Sequence, residues 1–191
     1  MKIGVVPTIR EVYKDQYEFS IYLRLYSFLR KVYDNCSFKV LSNKEKINFD
    51  LLCLSGGNDI YNKTTRSVIR KKLDNYYYKE AKRKKIPILG ICHGAQFIAH
   101  AEGCKVEYKK QNIKPHKIYS KKINYLNTKV NSYHNLIIKS LSSKCEPIAN
   151  DKNYNIECFK VRKSKILGII WHPERYKNFK KIDIKLIRKF L

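Results

Sequence analysis

The chain has 191 residues, is 43% hydrophobic and 13% aromatic, and sets 41 Lys+Arg against 16 Asp+Glu for a formal net charge of +25. That composition excludes a globally disordered chain, and seven Gly with five Pro exclude collagen-like and elastic repeats. A field of this sign attracts polyanions, yet 32 of the cations are Lys scattered through a chain rich in AT-coded Asn, Ile and Tyr, so no nucleic-acid partner is predicted.

The start, Met1-Lys2-Ile3-Gly4-Val5-Val6-Pro7, carries no leader pattern, and no apolar run nears the ~20 residues that span a bilayer. A cytoplasmic protein without a membrane partner is expected, folded as one domain over residues 1–191. Ile3 to Val6, Phe38 to Leu41, Leu51 to Leu54 and Ile86 to Ile91 are near-continuous apolar runs, the mark of strands buried on both faces of a parallel sheet. Between the first two, Phe19, Tyr22, Leu23, Tyr26, Leu29 and Tyr33 recur at helical spacing. Thr65 to Lys85 is a second helix, with Val68, Ile69, Leu73, Tyr76 and Ala81 on its apolar side and the densest cation cluster, Lys79 to Lys85, at its exposed end. Ala95 to His100 reads as a third helix. Shorter strands follow at Cys104 to Tyr108, Lys129 to Ser132, Ile137-Ile138, Ile156 to Val161 and Ile166 to Trp171, with a closing helix from Asn178 to Leu191. This is an α/β pattern: a mostly parallel central sheet flanked by helices.

Three strand ends carry chemistry. Gly90-Ile91-Cys92-His93-Gly94 follows a buried strand and opens a helix. That is the pattern of a nucleophile elbow, where small residues on either side let the chains pass and the central side chain stands on a strained turn. The turn puts the sulfur at a helix N-terminus, whose positive end favours an anion, and aims the His93 N–H at a reacting carbonyl. Trp171-His172-Pro173-Glu174 supplies a base and its orienting acid; strand alternation would put His172 and Glu174 on one side. Ser55-Gly56-Gly57-Asn58-Asp59 lets backbone approach a ligand, with the Gly57 N–H as second oxyanion donor. The remaining cysteines, 36, 53, 104, 145 and 158, lack such surroundings and zinc-ligand spacing, so inert thiols, no metal and no cofactor are expected. Taken alone, a non-catalytic basic binding module also fits.

Leu54-Ser55-Gly56-Gly57, Gly90-Ile91-Cys92-His93-Gly94-Ala95-Gln96 and Trp171-His172-Pro173-Glu174, in this order, resemble the class I glutamine amidotransferase superfamily with its flavodoxin-like fold; Asn131-Ser132-Tyr133-His134 matches a fourth motif. Within it, the motifs are similar to the γ-glutamyl hydrolase (peptidase C26-like) branch. The resemblance implies Cys92 as nucleophile, His172 as general base and acid, Glu174 as its orienter, and Gln96, Ser132 and Tyr133 as contacts of the glutamyl group. It also implies a small γ-glutamyl conjugate as substrate, against the alternative of a glutaminase subunit feeding ammonia to a synthase. Many hydrolases of this branch carry Arg where this chain has His93. The cationic field suits an anionic, nucleotide-linked leaving group, and composition with motif pattern resembles a hydrolase acting on a γ-glutamyl-CDP-amidate in capsule biosynthesis. Arg10, Lys14, Asn58, Arg66 and Arg175 follow predicted strand ends and are the candidates for the diphosphate.

Overall fold

The computed structural model describes residues 1–109 and 114–191. In chain order the elements are β1 (Lys2–Val6), β2 (Thr8–Tyr13), β3 (Gln16–Ser20), α1 (Leu23–Val32), β4 (Ser37–Val40), β5 (Leu51–Leu54), α2 (Thr65–Arg83), β6 (Ile88–Ile91), α3 (His93–Ala101), β7 (Lys105–Tyr108), β8 (His116–Tyr119), β9 (Lys129–Val130), β10 (Leu136–Ser140), β11 (Cys145–Asp151), β12 (Ile156–Val161), β13 (Ile166–Ile169) and α4 (Lys181–Phe190). The main sheet runs β4-β1-β5-β6-β13-β12-β11-β8-β9, with β10 pairing β12 and β7. Its first five strands are mutually parallel, and β12 turns the direction by pairing antiparallel with β13.

Each parallel strand must be apolar on both pleat faces because helices cover both. Ile3, Val5, Cys53, Leu89 and Leu167 face one core with Leu25, Phe28 and Leu29 of α1 and Leu186 and Ile187 of α4. Val6, Leu52, Leu54 and Ile88 face the other with Leu73 and Tyr77 of α2 and Ala95 and Ile98 of α3. Burial of a Leu, Val or Phe side chain is worth ~1.5–3 kcal/mol, so these two layers dominate the drive to this architecture. Trp171, fully buried, donates its indole N–H to Asp183 Oδ1 at 3.1 Å. Burial pushes that carboxyl up to about 6 against the indole bond, and the contact locks α4 onto the exit of β13.

Three expectations are corrected. The apolar face of α1 is Leu25, Phe28, Leu29 and Val32; Leu23 is 76% exposed, Tyr22 caps the helix and Phe19 lies in β3. Residues 8–20 fold instead as the antiparallel hairpin β2–β3, whose strands are mostly exposed. The strands read at Lys129 to Ser132 and Ile166 to Trp171 stop at Val130 and Ile169, which frees the residues beyond them to form loops at the sheet edge.

Candidate active site

Cys92 is the hinge between β6 and α3, at φ 50° and ψ −104°. A residue with a β-carbon in that region costs ~1–3 kcal/mol and persists only when its surroundings enforce it. Here they do: the Cys92 N–H donates to Ile169 O at 2.8 Å, on the neighbouring β13, and its C=O accepts the Gln96 N–H at 2.9 Å. The flanking glycines are sterically required, as predicted. A β-carbon on Gly94 would stand 2.1 Å from Leu54 O, and one on Gly90 would stand 2.8 Å from the Ala95 nitrogen.

His172 and Glu174 meet, although not by strand alternation. Both lie past β13, and Glu174 sits in the one-turn 3-10 helix Pro173–Arg175 that brings its Oε1 to 2.6 Å from His172 Nδ1. The loop after β9 clamps the histidine backbone: its N–H donates to Asn131 Oδ1 at 2.8 Å, and Asn131 Nδ2 donates to His172 O at 2.8 Å. With Nδ1 facing Glu174, Nε2 is the nitrogen left for Cys92. Burial pushes the imidazole down, but the neighbouring Cys92 and then the Glu174 carboxylate raise it to about 9. The ring is therefore cationic at neutral pH. Arg24 of α1, not singled out in the sequence, fixes the same turn through Glu174 O at 3.3 Å and Lys177 O at 2.9 Å.

The loop after β5 closes the third side. Gly56 lies so close to both groups that a β-carbon on it would stand 2.6 Å from His172 Cε1 and 3.6 Å from Cys92 Cβ. Gly57 has φ +133°, the region that favours glycine. Thr8 Oγ1 donates to Gly56 O at 2.6 Å, and since a trans peptide points its C=O and N–H in opposite directions, the Gly57 N–H faces away from Thr8. His93 is the first residue of α3, so its N–H has no intrahelical acceptor.

The other candidates fall into two groups around this centre. Gln96 and Ser132 are buried, and the Tyr133 ring stands edge-on to His172 with centroids 5.5 Å apart. Gln96 Nε2 donates to Leu136 O at 3.1 Å, while Ser132 Oγ and His134 Nε2 are buried without a hydrogen-bond partner among the described residues. Burial holds the His134 imidazole below its ordinary value. A cavity of about 330 Å³ is bounded by Thr8, Arg10, Tyr22, Gly56, Gly57, His172, Glu174 and Arg175. Arg175 lies over the Tyr133 ring at 4.6 Å. A neighbouring groove shares Thr8, Arg10 and Gly57 and adds Arg66. Asn58 is committed elsewhere: its Oδ1 accepts the Ile9 N–H at 3.0 Å and its Nδ2 donates to Ile9 O at 2.9 Å. It pins the strand that carries Arg10 and itself lines the neighbouring groove with Arg66. Lys14 lies at the exposed tip of the β2–β3 hairpin, away from the cavity lining. Among the described residues no three His, Cys, Asp or Glu side chains are grouped to hold a metal ion, and no helix is long and apolar enough to cross a membrane.

A strained thiol elbow, a His/Glu pair and a glycine loop at the ends of adjacent parallel strands are the marks of one family, and the family profile for glutamine amidotransferase class-I matches residues 13–190. The chain belongs to that family. It is 35% identical over 134 residues to the γ-glutamyl-CDP-amidate hydrolase of Campylobacter jejuni, a stretch that spans 69% of this chain and 65% of that protein. It is 34% identical over 100 residues to a GMP synthase of Bacteroides thetaiotaomicron, covering 48% of this chain but only 20% of the synthase. The fold matches a glutamine amidotransferase from Thermotoga maritima with a TM-score of 0.66 at 20% identity, over 98% of this chain and 88% of the other.

Proposed function

We propose that this chain, as one cytoplasmic domain over residues 1–191, hydrolyses a γ-glutamyl amide through a glutamyl thioester on Cys92, and that its substrate is a γ-glutamyl-CDP-amidate. The observation that carries the reading is Cys92 on its left-handed elbow, with His172 brought to the same glycine loop and held through Nδ1 by Glu174 at 2.6 Å. The likeness to the Campylobacter jejuni hydrolase supports the substrate.

The Cys92 sulfur attacks the γ-carbonyl carbon, and the carbonyl electron pair moves onto oxygen against the Gly57 and His93 N–H groups. Imidazolium His172 passes its Nε2 proton to the amide nitrogen as the C–N bond breaks, and the phosphoramidate leaves. Water then enters, gives a proton back to His172 and adds its hydroxide to the thioester. The C–S bond breaks, glutamate departs, and thiolate and imidazolium are restored. Glu174 keeps Nδ1 occupied and balances the cation throughout.

Gln96, Ser132 and Tyr133 hold the glutamyl group, the unpaired Ser132 Oγ and His134 Nε2 being suited to its charged head. Arg10 and Arg175 flank the cavity that the leaving group crosses, with Arg66 further along the adjoining groove; planar guanidinium forks match a diphosphate. Comparing kcat/KM for γ-glutamyl-CDP-amidate, γ-glutamyl-aminobutyrate and glutamine tests the proposal. A preference of about a hundredfold for the nucleotide conjugate, shrinking as salt is raised, is the expected result. Equal or faster turnover of the aminobutyrate conjugate refutes the assignment. The glutaminase reading has its own support in Val12, Tyr13 and Phe19, apolar side chains exposed on the β2–β3 hairpin and available to a synthase. Ammonia release from glutamine that rises on adding cell extract would favour it.

A further inference from the structure

Arg70 and Asp74, one turn apart on α2, are completely buried and take no part in the steps above. Arg70 Nε donates to both Asp74 oxygens, at 2.9 and 3.0 Å; Nη1 donates to Pro7 O at 2.9 Å; and Nη2 donates to Ser55 O at 2.8 Å. One guanidinium thus ties together the ends of β1 and β5. Asp74 Oδ2 lies 2.8 Å from His93 Nε2, and His93 Nδ1 lies 2.5 Å from Asn58 O. The chain of bonds therefore starts at the segment before Gly56-Gly57, crosses α2 and the first residue of α3, and returns to the segment after Gly57.

The chemistry of the partners fixes the state of the His93 ring. Burial pushes the Asp74 carboxyl up, but the Arg70 and His93 contacts outweigh it and hold the group below its ordinary range, ionised. A carboxylate and a peptide carbonyl only accept, so both contacts are satisfied only when each ring nitrogen carries a hydrogen. Arg70, Asp74 and His93 then sum to one net positive charge, enclosed in protein against the Ser55 and Asn58 carbonyls. An enclosed ionic group is costly to desolvate and adds little to stability over an apolar replacement, whereas it fixes geometry and field strongly.

We propose that Arg70, Asp74 and His93 are positioning residues for the oxyanion site: a buried ionic unit that sets the Gly57 and His93 amides relative to each other and keeps a positive charge behind them. The proposal rests on the hydrolase reading above for its catalytic effect, and on the bonding pattern alone for the state of His93.

The test separates a reaction that develops an oxyanion from one that does not. In wild type, Asp74→Asn and His93→Gln, formation of the glutamyl enzyme from γ-glutamyl-p-nitroanilide is compared with alkylation of Cys92 by iodoacetamide, a displacement at saturated carbon. Expected is a loss in acylation on the order of 10–100-fold, with KM and the alkylation rate each within about threefold of wild type. Parallel loss of acylation and alkylation, or loss of neither, overturns the proposal. Should Asp74→Asn fail to fold, His93→Gln still gives both rates. On the wild-type chain, nitrogen-15 NMR of the histidines at pH 7, with the His93 pair assigned by its absence in His93→Gln, must show a hydrogen on both ring nitrogens; a bare nitrogen refutes the charged unit. A wild-type chain that forms no glutamyl enzyme from any γ-glutamyl amide sinks the hydrolase reading, while the NMR result still decides the network.

Discussion

Replacing Gly56 by Ala should disable catalysis while sparing the fold. The added β-carbon would stand 2.6 Å from His172 Cε1 and 3.3 Å from Nδ1. Carbon–carbon contacts settle near 3.6 Å, so either the ring or the loop must retreat by about 1 Å. The ring has little freedom, because Glu174 holds Nδ1 and Asn131 clamps the backbone on both sides. If the loop retreats, the Gly57 N–H moves with it. Either displacement breaks the alignment of base, sulfur and oxyanion donor, and a misplacement of about 1 Å costs on the order of 10² in kcat. Gly56 lies at the wall of a cavity, so the structure can absorb the shift; a loss of about 1 kcal/mol would lower Tm by only about 2–4 °C in a chain this long. Glutamate release at saturating substrate, with the melting curve as control, checks this. Retention of kcat within threefold, or collapse of Tm by tens of degrees, would show that the contact is not what limits this position.

Cys92→Ala should abolish turnover with the fold intact, His172→Asn should cost several powers of ten in kcat, and Glu174→Gln less; residual activity above about a per cent in Cys92→Ala contradicts a covalent route. Because His172 stands at about 9 in the fold against an ordinary 6.5, the stability it contributes is complete below about 6.5 and is lost as pH rises through about 9. Cys92→Ala removes the largest upward influence, so wild-type Tm should fall more steeply than the variant's between pH 7 and 10, and parallel profiles would exclude the coupling. Brief iodoacetamide treatment at neutral pH should label Cys92 first and Cys104 second, by peptide mass spectrometry. Hydrogen bonds from Cys145 and Ser142 push the Cys104 thiol down, whereas burial pushes Cys53 up to about 12 and Cys158 well above its ordinary value; early labelling of either deep thiol contradicts the assignment.

The doubly buried strands were legible because helices on both faces leave no polar position, and Gly90 and Gly94 announced the elbow because no side chain fits there. Pleat alternation would pair His172 with Glu174, whereas the 3-10 turn Pro173–Arg175 is what joins them. The β2–β3 hairpin is not legible because its strands are mostly exposed, nor is β11, which carries Pro147 within an irregular register. Arg70 and Asp74 were invisible for a different reason. Opposite charges four apart on a helix ordinarily mark a solvated face, and nothing local distinguishes a pair that tertiary packing has enclosed. The diphosphate candidates divided on the same ground, because sequence places Asn58 near a strand end but cannot tell that Ile9 occupies its amide.

The position of β13 has a consequence for how the protein comes into being. It lies between β6 and β12 in the middle of the sheet, yet it is the last strand made. A ribosome-bound chain that has finished β6 carries the thiol, but its neighbour on that side is missing and the parallel edge stands open to any passing strand. Only when Ile166–Ile169 slots into the gap does Ile169 O reach the Cys92 N–H, and only then do His172 and Glu174 arrive. Closing the sheet and bringing His172 and Glu174 to Cys92 are thus the same late event, so a truncated chain lacks the assembled site and keeps an open parallel edge.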